Sequence, residues 1–256
     1  MNKSTSIIIP TLNEEQYLPH ILGDLAMNKL DTTRVEIVVS DSGSTDRTAQ
    51  VAAEFAQRYA AQLNLKFVTA PERGVSLARN NGVRHAEGER LIFLDADTRV
   101  SEDFVSSALG ELEQRKLDAA GCYAFVDSVH WFDRLAVHLV RRYASFTQNS
   151  SHPLVLGAGM ASTKALHEAL GGFDQQLRFG EDLDYVRRAA RLGVYRMLNS
   201  VDITFSARRV EDEGRLKTLV KALLGQYHYR FGDLRDVSFK YDFGKFSPAQ
   251  RDEAND

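Results

Sequence analysis

The sequence predicts an α/β fold: a Rossmann-like, mostly parallel sheet with helices on both faces. Two observations carry that prediction. Through Thr98, short apolar runs alternate with longer stretches of helical periodicity. Polar residues also gather where those runs end, the edge at which parallel sheets bind ligands. In order, Ile7–Ile9, Glu36–Ser40, Lys66–Thr69 and Arg90–Leu94 read as strands separated by helices. After Thr98 the rhythm changes. A helix follows Ser101, a strand runs Ala119–Val126 and a helical stretch covers His130–Phe146. The turn Gly157-Ala158-Gly159 leads to a helix near Thr163–Leu170, then the loop Gly171–Gly180, then a helix near Asp182–Leu192. The expected organisation is a first lobe over 1–98, a smaller second lobe over 99–212, and a C-terminal helix with a polar tail over 213–256, integrated in one domain.

Composition narrows the function classes. The 256 residues carry 32 basic and 35 acidic side chains, a net charge of -3, with 43% hydrophobic content. That balance offers no broad field for nucleic acid, so any phosphate must be held locally. The one cysteine, Cys122, excludes an internal disulfide framework and a Cys-rich zinc site and fits a reducing compartment. No run of about 18 apolar residues occurs, and the start of the chain lacks the apolar core of a secretory signal. The expected location is cytoplasmic, with any membrane contact peripheral and at the inner face.

The strand ends hold the candidate chemistry. The first strand runs into Thr11-Leu12-Asn13-Glu14-Glu15, where Asn13 can cap a helix bearing both glutamates in its first turn, or the loop can present Thr11 to a base or ribose. Asp41 ends the second strand ahead of Gly43, Ser44 and Asp46, where its carboxylate can accept from a uracil or ribose. The fourth strand runs into Asp95-Ala96-Asp97, two carboxylates that converge from alternate positions of an extended segment. Like charges so close call for a cation or donors, and Mg²⁺ or Mn²⁺ completed by substrate phosphates is the economical partner; turn formation ahead of Ser101 is the structural alternative. Arg73 and Arg79 follow the third strand, each able to pair with Asp95, to meet a phosphate or to serve as a surface residue, and Ser76 between them can cap a helix. Glu181-Asp182 opens a helix, favoured by the helix dipole alone or as the seat of a general base. Arg208-Arg209 follows the apolar run near Ile203, either solvated or screening a diphosphate.

The order of these signals resembles the family 2 glycosyltransferases of GT-A fold: strand-Thr-x-Asn-Glu, strand-Asp-x-Gly-Ser-x-Asp, Ala-Arg-Asn-x-Gly, strand-Asp-x-Asp, Gly-x-Gly, then Gly-Gly-Phe-Asp and Glu-Asp. It covers roughly Ser6 to Arg209. The resemblance implies that the first lobe binds a nucleotide-diphospho-sugar donor, a UDP- or GDP-sugar, the second binds the acceptor, and transfer inverts the anomeric centre. It implies that Thr11, Asn13, Glu14 and Asp41 line the nucleoside pocket, Asp95 contacts ribose or sugar, Asp97 holds a divalent cation and Asp182 is the base. Arg208-Arg209 looks like a diphosphate-contacting element, with Arg73 and Arg79 available for the same donor. The Gln-x-x-Arg-Trp form of processive synthases is absent, which argues for single-sugar transfer in polysaccharide, glycolipid or other glycoconjugate synthesis. A metal-dependent nucleotidyltransferase is the competing enzyme, but it would carry a basic Gly-rich loop where Pro10–Glu15 is acidic; a catalytically silent sugar-nucleotide-binding module is the competing binder.

Two amphipathic stretches bear on partners. Trp131, Leu135 and Leu139 form one row beside Phe132, Ala136 and Val140, and Leu216, Leu219, Val220, Leu223, Leu224 and Tyr227 form another beside Lys217 and Lys221. Core or lobe packing, a lipid-linked acceptor at an anionic membrane surface, and homodimer packing are the uses open to them.

Overall fold

A computed structural model of the chain describes residues 4–237 except 129, 156, 178 and 207–213. Arg208-Arg209 and the polar tail Pro248–Asp256 lie outside the described residues. The strands are β1 (Thr5–Thr11), β2 (Val35–Asp41), β3 (Leu65–Thr69), β4 (Arg90–Leu94), β5 (Thr98–Arg99), β6 (Ala119–Asp127), β7 (Gly159–Thr163) and β8 (Tyr195–Ser206). The helices are α1 (Leu18–Met27), α2 (Thr48–Arg58), α3 (Val75–Arg84), α4 (Phe104–Gln114), α5 (Trp131–Thr147), α6 (Lys164–Ala169), α7 (Glu181–Leu192) and α8 (Arg215–Phe231), with a short 3-10 turn at Leu234–Asp236. All eight strands join one sheet in the order β3-β2-β1-β4-β7-β6-β8-β5.

The sheet is parallel through β3-β2-β1-β4 and between β6 and β8, while β7 and β5 run against their neighbours. Strand β1 shows why its sequence reads as unbroken apolar residues. Ile7 and Ile9 enter one core with α1 and α4, and Ile8 enters the other with α3, α6 and α7. Both faces are therefore dry. Helix α3 comes so close to β1 that a Cβ on Gly82 would stand 2.5 Å from Ile8 Cγ2; the glycine sets the depth of that packing.

Three strands differ from the sequence reading. The segment after Gly157 forms β7 before reaching α6, pairing antiparallel with β4 on one side and β6 on the other. Strand β8 has twelve residues where only a short run near Ile203 is apparent. Its pairing with β6 jumps from Gly121↔Met197 to Tyr123↔Asp202, so the polar Asn199-Ser200 bulges out and interrupts the apolar pattern. Glu111 of α4 accepts the backbone N–H groups of Asn199 at 2.9 Å and Ser200 at 2.7 Å, which closes the bulge. The two-residue β5 has no counterpart among the strands that the sequence predicts.

Two helix starts also differ. Helix α1 begins at Leu18, with a proline in its first turn and no acidic residue there, so Asn13 does not cap it. Ser76 lies inside α3, whose first flanking residue is Gly74, and caps nothing.

Candidate functional site

The parallel register sets Thr11 of β1 directly beside Asp41 of β2 at the carboxyl edge of the sheet. Thr11 Oγ1 donates to Asp41 Oδ1 at 3.0 Å, and the Ser44 hydroxyl donates to the same oxygen. Asp41 Oδ2 accepts the backbone N–H groups of Gly43 at 3.0 Å and Ser44 at 2.9 Å. The carboxylate thus organises its own loop, and Gly43, at φ 86°, takes the left-handed turn this requires.

Asn13 also adopts a left-handed backbone, φ 56°, which asparagine tolerates. Its N–H donates to Ser44 Oγ and its Oδ1 accepts from Thr45 N, both at 2.8 Å. Glu14 N donates to Thr48 Oγ1 at 2.9 Å, and Asp46 accepts from both Glu15 N and Thr48 N. Thr11, Asn13, Glu14 and Asp41 are all buried and lace the β1–α1 loop to the β2–α2 loop. Ser42 extends the lacing: it accepts from Gly74 N at 2.8 Å, fixing the loop that carries Arg73. Arg73 is exposed and overhangs the Asp41 loop, 3.4 Å from the Gly43 carbonyl.

The second half of the site is a buried arginine among carboxylates. Arg79 is 2% exposed; its Nη2 donates to Asp95 Oδ1 at 2.8 Å and its Nη1 to Glu181 Oε1 at 2.9 Å. Its guanidinium also reaches the Gly157 carbonyl at 3.3 Å and lies over the Phe173 ring at 5.2 Å. Burial opposes its charge, but Asp95, Glu181 and Asp182 together hold it firmly protonated. Of the sequence alternatives for Arg79, the structure shows the pairing with Asp95.

Asp182 has a different environment. Its Oδ1 accepts from Leu183 N at 2.9 Å, and a Cβ on Gly157 would stand 2.7 Å from its Oδ2, so only glycine leaves that oxygen room. Burial and then the neighbouring Glu181 charge push its carboxyl up to about 7, against the opposing pull of Arg79. Arg79 is bonded to Glu181, and Asp182 is left beside it near the neutral range, where a general base works best.

The residues after Arg79 tie α3 to its neighbours. Asn80 donates to the Phe173 carbonyl at 2.8 Å and accepts from Phe173 N at 2.9 Å, clamping the Gly171-Gly172-Phe173 loop of positive-φ glycines. Asn81 donates to Ser40 Oγ at 3.1 Å. Arg188 of α7 grips the Leu170 and Gly172 carbonyls from the other side, and Phe173 stacks on Tyr185 at 4.2 Å. These partners are distant in sequence, and only the Asn residue types, which pair with backbone amides, hint at the role. Asn80→Ala is expected to leave two buried backbone groups unpaired, costing about 2–4 kcal/mol. A thermal melt should read this as a fall of roughly 5–15 °C.

Asp95 and Asp97 both lie in the turn between β4 and β5, half-buried, with Asp95 N donating to the Ala158 carbonyl at 3.2 Å. Among the described residues no group of three His, Cys, Asp or Glu side chains stands ready to enclose a metal. The donor set is one or two carboxylates at a sheet edge. That chemistry fits a hard cation completed by substrate phosphates and water, and not a cation caged by protein alone.

The family model described as Glycosyl transferase family 2 matches residues 6–169. The poly(ribitol-phosphate) beta-N-acetylglucosaminyltransferase TarS of Staphylococcus aureus is 32% identical over 115 residues, 44% of this chain and 19% of its own. Glycosyltransferase AglE of Haloferax volcanii is 26% identical over 195 residues, 73% of this chain and 62% of its own. The chain therefore spans less than two thirds of these relatives. Among solved structures, residues 1–349 of S. aureus TarS in complex with UDP-GlcNAc superpose with a TM-score of 0.65 at 18% identity, covering 94% of this chain and 77% of that one. The mannosyltransferase PcManGT of Pyrobaculum calidifontis, in complex with GDP-Man and Mn²⁺, gives 0.65 at 23% identity, covering 88% and 65%. These likenesses are of fold, and the fold is the GT-A architecture anticipated from the motif order.

Proposed function

The chain belongs to glycosyl transferase family 2, and from that premise we propose that it transfers a sugar from a UDP- or GDP-sugar to an acceptor hydroxyl with inversion, in glycoconjugate synthesis. The observation that carries the reading is the Asp182 carboxyl, pushed up to about 7 beside an arginine that bonds both Asp95 and Glu181. A binding module without chemistry has no use for a carboxylate poised to take a proton.

In this reading the laced loops bearing Thr11, Asn13, Glu14 and Asp41 receive the nucleoside, and Arg73 meets the diphosphate from above. Asp95, fixed by Arg79, orients the ribose or sugar. Asp97 would hold Mn²⁺ or Mg²⁺, which supplies charge neutralisation for the departing diphosphate. Asp182 takes the proton from the acceptor hydroxyl as its oxygen bonds to the anomeric carbon. The bond from that carbon to the phosphate oxygen breaks on the opposite face, and one displacement inverts the centre.

Screening UDP-, GDP- and dTDP-sugars for thermal stabilisation with and without Mn²⁺ tests the donor assignment. The expected result is stabilisation by one sugar nucleotide that deepens with the cation. Turnover should vanish on exhaustive chelation and in Asp97→Ala, and return on adding Mn²⁺ to the parent only. Full turnover after chelation would remove the metal from the proposal.

A further inference from the structure

Helices α5 and α8 turn apolar surface outward. Trp131 is 73% exposed and Phe146 85% on α5, and Leu223 is 62% and Phe231 73% on α8. On α5, Trp131, Leu135, Leu139 and Phe146 share one stripe, while Asp133, Ala144 and Thr147 on the far side are buried. On α8, Leu219, Leu223 and Tyr227 lie opposite the buried Gly225 and Tyr229. Ala144 and Tyr229 belong to the same core, so both helices cover one side of the sheet and both stripes face away from it. The helices run side by side: Arg215 pairs with Asp133 at their starts at 3.0 Å, and Gln226 reaches Tyr143 farther along at 3.4 Å.

Charge selects the occupant. The two helices together carry seven basic residues and a single acid, Asp133, within a chain whose net charge is -3. Arg134, Arg142 and Lys217 are exposed at the flanks of the stripes. A second copy of this face would set basic side chains against basic side chains across a two-fold axis. An anionic lipid surface accepts both features, with apolar side chains entering the acyl boundary and cations meeting the headgroups.

We infer that the outward faces of α5 and α8 form one docking surface for an anionic bilayer. The surface lies apart from the candidate site but meets it in one place. Gly225 of α8 packs against Phe179 so closely that a side chain there would not fit, and Leu234 packs against Gly180. Those residues lead directly into Glu181-Asp182. If the transfer reading holds, a docked protein brings the start of α7, with Asp182, to the bilayer, and its acceptor is an amphiphile carried there.

Flotation of the full chain with vesicles of phosphatidylcholine alone, and of phosphatidylcholine mixed with phosphatidylglycerol, tests the docking without any activity assay. Binding is expected only to the mixed vesicles and should weaken as salt rises. The variant Trp131→Ser/Leu135→Ser/Leu223→Ser/Tyr227→Ser should lose it. The second variant, Arg134→Glu/Arg142→Glu/Lys217→Glu, leaves the apolar stripes intact; its partition should fall on the order of a hundredfold or more, and it carries the test if the first does not fold. Failure of the parent to bind mixed vesicles overturns the inference. So does parent-like binding by the charge-reversed protein, or an apolar variant that changes from dimer to monomer with vesicle binding intact.

Discussion

Asp182→Asn is expected to bind donor as the parent does while turnover falls on the order of a hundred- to ten-thousand-fold. The amide preserves the shape and can still accept from Leu183 N, the bond that Asp182 Oδ1 makes at 2.9 Å. What it removes is the proton acceptor of the proposed mechanism. Donor titration beside single-turnover rates separates the roles, and a variant that turns over normally would reduce Asp182 to a helix-start residue.

The same carboxyl predicts a pH dependence whose sign can be worked out. Burial and Glu181 raise it from 3.8 to about 7 in the folded protein. Between those values the folded state binds the extra proton, so stability falls as pH rises across that window. Turnover moves the other way, because the base form accumulates as pH passes 7. The rate profile of the parent should therefore climb through an apparent pKa near 7. Asp182→Asn should melt higher than the parent at pH 8 and lose this part of the slope, and a variant that melts lower at pH 8 would mean that the charge is welcome where it sits. A gain in stability joined to a loss of rate is the signature of a strained functional group.

How far the site could be read in advance depended on where each partner lies. Asp41 and Asp95 stood out because each breaks an apolar run at a strand end, and parallel strands put such residues on one edge. Asn80 stood within the Ala-Arg-Asn-x-Gly motif, but nothing local gave its role, because its partner Phe173 is 93 positions away. Asn13 misled for a related reason: an asparagine before acidic residues looks like a cap, yet its side chain is bound by the amide of Thr45 on another loop. Strand β8 was obscured by the polar bulge at Asn199-Ser200, which makes sense only once Glu111 is seen to accept those amides. The apolar rows of α5 and α8 were visible as periodicity, but periodicity does not say which side of a helix is the outside. Tyr229 and Ala144 supplied that by being buried on the opposite side.

Arg79→Ala is expected to cost about 3–5 kcal/mol, because it leaves Asp95, Glu181 and Asp182 clustered without the cation that offsets them. The arginine is 2% exposed and its two bonds, 2.8 Å to Asp95 and 2.9 Å to Glu181, link the end of β4 to the start of α7. Water cannot replace it cheaply in so closed a position. Without its opposing pull the Asp182 carboxyl should rise further, so the folded state would take up a proton that the unfolded chain releases, and stability would fall further as pH rises. The deficit against the parent should thus be greatest at pH 8 and shrink toward pH 5. Arg79→Lys should recover part of it, since one ammonium cannot span both carboxylates as the planar fork does. If Arg79 instead served a donor phosphate, its removal would weaken donor binding and leave the melting temperature alone. Melting curves at the two pH values, beside donor titration of the same samples, decide between a positioning residue and a phosphate contact. An unchanged melting temperature with weakened donor binding would reverse the assignment.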